Sequence, residues 1–266
     1  MRNLKNSLVM FSLLIVMYLF AGCLNDNPVG GDNDYSAEKS FSEEIELAKQ
    51  KKIRIEGITG TINVFGSSTE TVVSVEGVRR VEANSQADAE AQLERLEVKI
   101  SELTDEILIR TEQPDDTNGR NFIVNYNITM PDILELNISN ITGAIKIESI
   151  RNDVVANNIT GEIRFDQIAG NVRAELITGL ISGKVNLPQD GNLDLRTITG
   201  TIDVDIPTNT SAVLTGSVVT GLVTLRNLTL TDIEINTPTS VKGKLGNGDG
   251  NITVRTVTGN IAVSGF

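Results

Sequence analysis

A five-residue phrase, aliphatic-Thr-Gly-x-aliphatic, recurs seven times and constrains the fold of this chain more than any other feature. From Gly143 onward its glycines follow at steps of 18, 18, 21, 21 and 38 residues. A short strand that returns about every 20 residues is typical of a solenoid, in which each repeat packs on its neighbours. The seven phrases begin at Ile58, Ile141, Ile159, Ile177, Ile198, Val219 and Val257.

The parity of the phrase predicts which of its side chains are buried. Side chains of an extended strand alternate, so the aliphatic residues two before and two after the glycine are both expected to face the core. The glycine is expected at a sharp corner, where a Cβ would clash and a positive φ is needed. The threonines face outward, and we expect these to stack along one edge, each about 4.8 Å from the next: Thr142, Thr160, Thr178, Thr199 and Thr220.

Weaker copies of the phrase lie halfway between the strong ones, so that one coil consists of two halves of nine residues. Two half-coils, Gly179 to Gly191 and Gly200 to Ala212, have 12 residues instead. Their extra residues are expected to bulge from the edge opposite the threonines, one bulge above the other. Insertions in solenoids often collect on a binding side, although longer loops are also tolerated as harmless variation. The candidate binding edge comprises Leu187, Pro188, Gln189, Asp190, Pro207, Thr208 and Asn209.

Residues 1 to 22 have the features of a targeting segment. Arg2 and Lys5 precede an apolar stretch that is too short for a confident membrane span. The stretch ends in Leu-Phe-Ala-Gly before Cys23, the only cysteine of the chain, and this ending resembles the lipobox of bacterial lipoproteins. The resemblance implies lipidation of Cys23 and a lipid anchor in the bacterial envelope, in the outer membrane where the cell has one. An ordinary secretory signal with a chance cysteine is the alternative.

The remaining sequence predicts three segments. Residues 23 to 42 are expected to form a flexible acidic tether, because they are rich in Asn, Asp and Gly and lack periodicity. Residues 43 to 133 predict a β-rich part with one helix, capped by Ser85 and with an apolar stripe of Ala87, Ala91 and residues 93 to 96. Residues 134 to 266 predict regular solenoid coils.

The pattern from about residue 43 to 266 resembles bacterial putative-adhesin domains of unknown function, which are related to GIN-domain adhesin heads. The resemblance rests on an early Gly-x-Ile strand, the helical insert, the strand ending at Pro131 and the Thr-Gly-x-Ile coils. It implies an all-β, single-chain β-solenoid (β-helix) with coils of 18 to 21 residues. It also implies a surface-binding role, which follows from shape and location alone.

Composition excludes several kinds of chemistry. The chain has no histidine, which removes Ser-His-Asp and Cys-His catalysis and histidine-based metal sites. Its net charge of −12 argues against nucleic-acid binding, which needs a basic surface. Paired carboxylates remain, because β-helices include polysaccharide-processing enzymes, and such an enzyme is the alternative function. Outward positions alternate in charge instead, and Glu175 and Arg196 are expected to form a cross-strand pair. One outward column reads Glu148, Asp166, Lys184, Asp205 and Arg226.

Two further motifs each allow two interpretations. The threonine row could match a periodic ligand such as ice or a glycan, but the simpler expectation is that these threonines satisfy backbone groups at the corner. Residues 246 to 251, Gly-Asn-Gly-Asp-Gly-Asn, resemble a calcium-binding repeat, yet no neighbouring repeat supplies the same Asp, so a tight corner is expected.

Together these observations predict a non-enzymatic, envelope-anchored lipoprotein that acts as an adhesin or surface binding scaffold. A glycan or a surface protein is the expected ligand. No catalytic, cofactor-binding or metal-ligating residue is predicted.

Overall fold

The computed structural model describes residues 33 to 266, all within one compact unit. This part of the chain is all-β, as predicted, with one short helix and seventeen strands in one hydrogen-bonded sheet. The predicted signal segment, Cys23 and the first part of the predicted tether lie outside the described residues. The helix α1 spans Gln86–Leu93, and the strands are β1 (Tyr35–Glu46), β2 (Lys52–Glu56), β3 (Ile62–Ser67), β4 (Val72–Ala83), β5 (Glu97–Glu102), β6 (Glu106–Glu112), β7 (Asn121–Pro131), β8 (Glu135–Glu148), β9 (Val154–Ile168), β10 (Val172–Val185), β11 (Asn192–Ile206), β12 (Ala212–Thr220), β13 (Val223–Arg226), β14 (Thr231–Thr237), β15 (Ser240–Leu245), β16 (Gly250–Thr258) and β17 (Ile261–Gly265).

The repeated phrase sets the register of the central strands. Strands β8 to β11 run parallel, and each continues through its Thr-Gly corner. Gly143 pairs with Gly161, Gly161 with Gly179, and Gly179 with Gly200. We call the strands before the corner the leading face and those after it the trailing face. Three further pairs of strands are interrupted at the corner. Strands β2, β12 and β16 belong to the leading face, and β3, β13 and β17 belong to the trailing face.

The order of the rows in space differs from their order in the chain. Thr59 bridges to Thr142, so the earliest phrase forms the first row. At the other end Thr199 and Thr220 both pair with Thr258, and not with each other. The expected stacking of Thr199 on Thr220 is therefore wrong, because the last coil of the chain, β16 and β17, lies between β11 and the coil of β12 and β13.

The hairpin of β14 and β15 explains this insertion. After β13 the chain forms β14, and β15 then runs antiparallel along the free side of β12. The following strand, β16, pairs in parallel with the other side of β12. The step of 38 residues before the last phrase thus contains a hairpin as well as the half-coil that leads into that phrase.

Each face is one layer of hydrogen-bonded strands. The leading face has the order β5-β6-β2-β8-β9-β10-β11-β16-β12-β15-β14. The trailing face has the order β1-β4-β7-β3-β8-β9-β10-β11-β17-β13. Except in the outer strands β5, β13 and β14, alternate residues of both faces are buried in one aliphatic core, which includes Ile163 and Ile202 as the sequence predicts.

Two local expectations differ from the structure. Strand β1 begins at Tyr35, inside the segment expected to be a tether, because it pairs with β4 along its whole length. Ser85 caps α1 as predicted, with its Oγ accepting the Asp88 N–H at 3.3 Å. The buried residues of the helix, however, are Ala89 and Leu93, followed by Leu96 just beyond its end, whereas Ala87 and Ala91 are exposed.

Candidate binding surfaces

The aliphatic residue before each Thr-Gly pair faces solvent, contrary to the sequence prediction. Ile159 is 44% exposed, whereas Ile163, two positions after the glycine, is fully buried. The rows of Ile141, Ile177, Ile198 and Val257 repeat this contrast. In the first row Ile58 is half-buried, and in the row of Val219 the second aliphatic residue, Val223, is only half-buried. We call this column the corner ladder; in spatial order it is Ile58, Ile141, Ile159, Ile177, Ile198, Val257 and Val219.

A reversal of strand alternation at the corner causes this exposure. In β9 the buried residues nearest to Gly161 are Asn158 and Ile163, which are an odd number of positions apart. A regular strand would place such residues on opposite sides. Gly161 adopts a φ of +134°, and the turn at this residue brings both onto the same core. Ile159 and Thr160 therefore lie together on the outside of the bend.

The glycine itself is required by contact between neighbouring rows. A Cβ on Gly161 would lie 1.9 Å from the carbonyl oxygen of Gly143, and a Cβ on Gly179 would lie 1.8 Å from that of Gly161. The obstructing atoms belong to the backbone and cannot move aside. The predicted need for glycine at this corner is confirmed, with both a positive φ and a steric cause.

In the rows of Gly143 and Gly161, buried asparagines bind backbone carbonyls of the corner from inside the fold. Asn140 and Asn158 are buried three positions before the glycine. The Asn140 Nδ2 donates to the carbonyls of Gly60 and Thr142, and the Asn158 Nδ2 donates to that of Gly143 at 2.8 Å. The corner threonines such as Thr142 have no side-chain hydrogen bond within residues 33 to 266. The expectation that they satisfy the corner backbone is therefore wrong, and their hydroxyls are free to meet a partner.

The corner ladder and the threonine row together form a long surface without charge. Seven rows at about 4.8 Å extend for roughly 29 Å between the first and the last. Neither column contains an ionisable residue, although the chain carries 35 acidic residues. Full burial of each exposed isoleucine would add on the order of 1 kcal/mol of stability, which the fold does not gain at these positions. The core does not need an aliphatic residue here, so this surface is suited to contact with a partner.

The predicted loop-edge residues lie in two turns opposite the corner. Pro188, Gln189 and Asp190 are exposed between β10 and β11, with Leu187 half-buried. Thr208 and Asn209 are exposed between β11 and β12, with Pro207 half-buried. Each turn closes on its proline, because the N–H groups of Gly191 and Thr210 donate to the carbonyls of Pro188 and Pro207 at 2.9 and 3.0 Å.

These two turns are not stacked directly, which corrects the expectation of one bulge above the other. The beginning of β16 separates them: Gly250 N–H donates to Ser211 O, and Asn251 N–H donates to Gly191 O. The second turn must pass the inserted coil, whereas the first turn joins adjacent rows. A longer half-coil is thus structurally required only between β11 and β12.

The glycine-rich stretch at residues 246 to 251 is a tight crossing, as expected. The Ser211 hydroxyl donates to an Asp249 carboxylate oxygen at 2.8 Å and accepts the N–H groups of Asn247 and Gly248. Asp249 is thereby engaged within the turn. The residues that the structure describes contain no group of three His, Cys, Asp or Glu side chains arranged for a metal ion.

In the central strands β8 to β11 the two faces differ in how they pair their charges. On the leading face, oppositely charged residues two apart close onto each other: Arg173 contacts Glu175 at 2.6 Å, and Arg196 contacts Asp194 at 2.8 Å. The hydrogen bond that the Arg173 guanidinium donates to the Glu175 carboxylate raises the pKa of Arg173. Glu175 and Arg196 are register neighbours, but the predicted ion pair between them is wrong, because each has a nearer partner on its own strand.

The predicted outward column lies on the trailing face. Glu148 is next to Asp166, and Lys184 is next to Asp205. Ser264 lies between Asp205 and Arg226 because of the inserted coil. Acidic and basic residues are mixed along this column, so they do not form a stretch of carboxylates alone. No helix within residues 33 to 266 is long and apolar enough to span a membrane.

The described part of the chain is thus an all-β protein of parallel rows with long, regular outer surfaces. Solved structures that match the chain include a "putative cell adhesion protein" from Clostridium sporogenes, with 14% identity, a TM-score of 0.47 and coverage of 86% of this chain and 100% of that one. A "putative adhesin" from Bacteroides fragilis has 10% identity, a TM-score of 0.36 and coverage of 86% and 99%. One from Parabacteroides merdae has 13% identity, a TM-score of 0.25 and coverage of 88% and 99%.

No family model and no curated protein matches the sequence.

Proposed function

We propose that this protein is a non-enzymatic adhesin or binding scaffold of the bacterial envelope, built as a β-solenoid and using the corner ladder as its contact surface. The observation that best supports this proposal is the exposure of the aliphatic residue in successive rows, as at Ile141, Ile159 and Ile177. The fold requires the neighbouring glycine but not an outward isoleucine. An exposed apolar stripe of this regularity favours contact with an extended or repetitive partner, such as a glycan or a surface protein.

The parallel rows support the solenoid interpretation, since each central coil pairs mainly with the coils on either side. The hairpin and the inserted coil would then form its distal end. Rigid strands on both sides of every corner hold the ladder in place, so little ordering entropy is lost on binding.

A screen of the chain from Asn25 onward against glycans and matrix proteins tests the binding role. Replacing Ile141, Ile159 and Ile177 together by serine should abolish the binding found, because the central apolar contact is removed. The matched control is Val155→Ser, which removes an outward aliphatic side chain from the leading face of β9. Equal binding by the triple variant and the wild type would exclude the corner ladder as the contact surface.

Anchoring through a lipid on Cys23 is the second part of the proposal, and the sequence around this only cysteine supports it. We expect the wild type to enter the detergent phase on Triton X-114 separation and Cys23→Ser to stay unprocessed or become soluble. Identical partitioning of the two proteins would contradict lipidation. Leu24, rather than an aspartate, follows the cysteine, so we propose the outer membrane as the location.

A further inference from the structure

Four unpaired charges surround a depression on the trailing face. Register places Lys146 beside Arg164 and Glu148 beside Asp166 on β8 and β9. These side chains and Ile147 line a depression of about 170 Å³. Like charges are therefore neighbours across the strands, an arrangement that destabilises a sheet surface.

The same sequence spacing on the leading face shows that this arrangement is not imposed by the backbone. Residues two apart close into ion pairs there, as in Arg173 with Glu175. On the trailing face Lys146 and Glu148, and likewise Arg164 and Asp166, have the same spacing and opposite charges. Within residues 33 to 266 none of these four side chains forms an ion pair or hydrogen bond. Their charged groups remain available to a ligand.

An exposed aromatic ring lies next to these charges. Phe65 is 47% exposed on β3, and its Cα is in register with Glu148 on the neighbouring strand. Strand β3 pairs with β7 on one side and β8 on the other, so its backbone is fixed. An aromatic ring on a rigid strand is a flat apolar surface against which the face of a sugar ring can pack.

The combination of groups defines the ligand chemistry. The cations Lys146 and Arg164 are suited to an anionic group, and a guanidinium matches the geometry of a carboxylate. The carboxylates of Glu148 and Asp166 accept hydrogen bonds from hydroxyl groups but repel a simple anion. A ligand must therefore carry an anionic group and several hydroxyls on a ring with an apolar face.

We infer that this depression, together with Phe65, binds an acidic saccharide. The saccharide carboxylate contacts Lys146 and Arg164, its hydroxyls donate to Glu148 and Asp166, and one ring packs on Phe65. This inference rests on the proposed role as a binding protein, but it places the ligand on a different surface from the corner ladder. The two surfaces can therefore be tested separately.

The test measures binding of a panel of uronic-acid tetrasaccharides to the chain from Asn25 onward, which contains every described residue, by calorimetry at low salt. Methyl esters of the same saccharides are the matched ligands, since they lack the charge but keep the ring. We expect the free acid of at least one to bind, its ester to bind roughly tenfold more weakly, and Arg164→Ala to lose affinity by roughly tenfold or more. Phe65→Ala should weaken binding as well.

The matched control is Arg173→Ala, which removes an arginine from the leading face of β10 and should leave affinity unchanged. Unchanged binding by Arg164→Ala, or equal binding of acid and ester, would overturn the inference. Competition by inorganic phosphate at the concentration of the saccharide would also overturn the inference, because it would show a general anion site. If no uronic-acid saccharide binds the wild type, the inference fails, whereas the corner ladder is judged by its own isoleucine variants.

Discussion

The Thr-Gly corner and the loop edge belong to the same coils but are constrained differently. At the corner the backbone of each row meets the next so closely that a Cβ on Gly200 would lie 1.9 Å from the Gly179 carbonyl oxygen. At the loop edge the connections vary in length, and one of them passes over an inserted coil. The corner therefore repeats because backbone contact forces it to, while the loop edge lacks this contact and each connection can take the length that its path needs.

This difference separates what the fold needs from what it permits. Glycine at the corner and the buried isoleucine two positions later are structural, since one avoids a clash and the other fills the core. The exposed aliphatic residue before the threonine has neither role. Its repetition in every row is the feature on which the proposed contact surface depends.

The largest expected effect distinguishes the two isoleucines of one phrase. Ile163→Asp places a carboxylate in the core and should lower the free energy of unfolding by at least about 3 kcal/mol. Ile159→Asp places the same group on the corner ladder and should change it by less than about 1 kcal/mol. Urea unfolding of both variants checks this, and equal destabilisation would show that the described reversal at the corner does not occur.

The second prediction separates the destabilisation caused by a clash between rows from the destabilisation caused by a positive φ alone. Gly161→Ala should destabilise by roughly 3 kcal/mol or more, because a positive φ and a clash with Gly143 act together. Gly119 has a φ of +80° in an exposed turn, and a Cβ added there would have no other atom within 4 Å. Gly119→Ala should therefore cost only about 1 kcal/mol. Thermal melts compare the two, and similar losses would mean that the rows are not packed at the glycine.

The smallest expected effect concerns the loop edge. Deleting residues 188 to 190 restores a nine-residue half-coil between adjacent rows and should leave the melting temperature nearly unchanged. Deleting residues 207 to 209 should lower it clearly, because this connection must pass the inserted coil and Thr208 N–H donates to Phe266 O at 3.1 Å. An unchanged melting temperature after deletion of residues 207 to 209 would contradict the order of the strands.

The variant that lacks residues 188 to 190 also tests the candidate binding edge around Pro188, since loss of ligand binding would place the contact there.

The sequence predicts the repeated elements well because they depend on local spacing. The all-β class, the corner glycines, the buried Ile163 and the capping of α1 by Ser85 all follow from residues close together in the chain. The side on which Ile159 lies does not, since a turn at Gly161 reverses the alternation that parity assumes. The two prolines correctly predict turns at the loop edge. The sequence does not indicate that β16 separates these two turns.

The remaining differences come from contacts between distant residues. Strand β1 has weak sequence periodicity and is fixed by its pairing with β4, in which Gly77 is the register partner of Phe41. The position of the last coil depends on the hairpin before it, which no repeat spacing encodes. Likewise, Phe65 and Lys146 come near the same depression only because β3 pairs in register with β8.

Continuity of the corner ladder depends on the last coil lying between the rows of Gly200 and Gly221, and disulfide formation tests this most directly. The chain from Asn25 onward contains no cysteine, so engineered pairs can be read without background. Thr199→Cys with Thr258→Cys joins neighbouring rows and should form a disulfide on mild oxidation, because a separation of about 4.8 Å lies within the range that disulfides accept. Thr199→Cys with Thr220→Cys lies two rows apart, about 9.6 Å, and should stay reduced. Cross-linking of the second pair and not the first would contradict the inserted coil and divide the proposed surface.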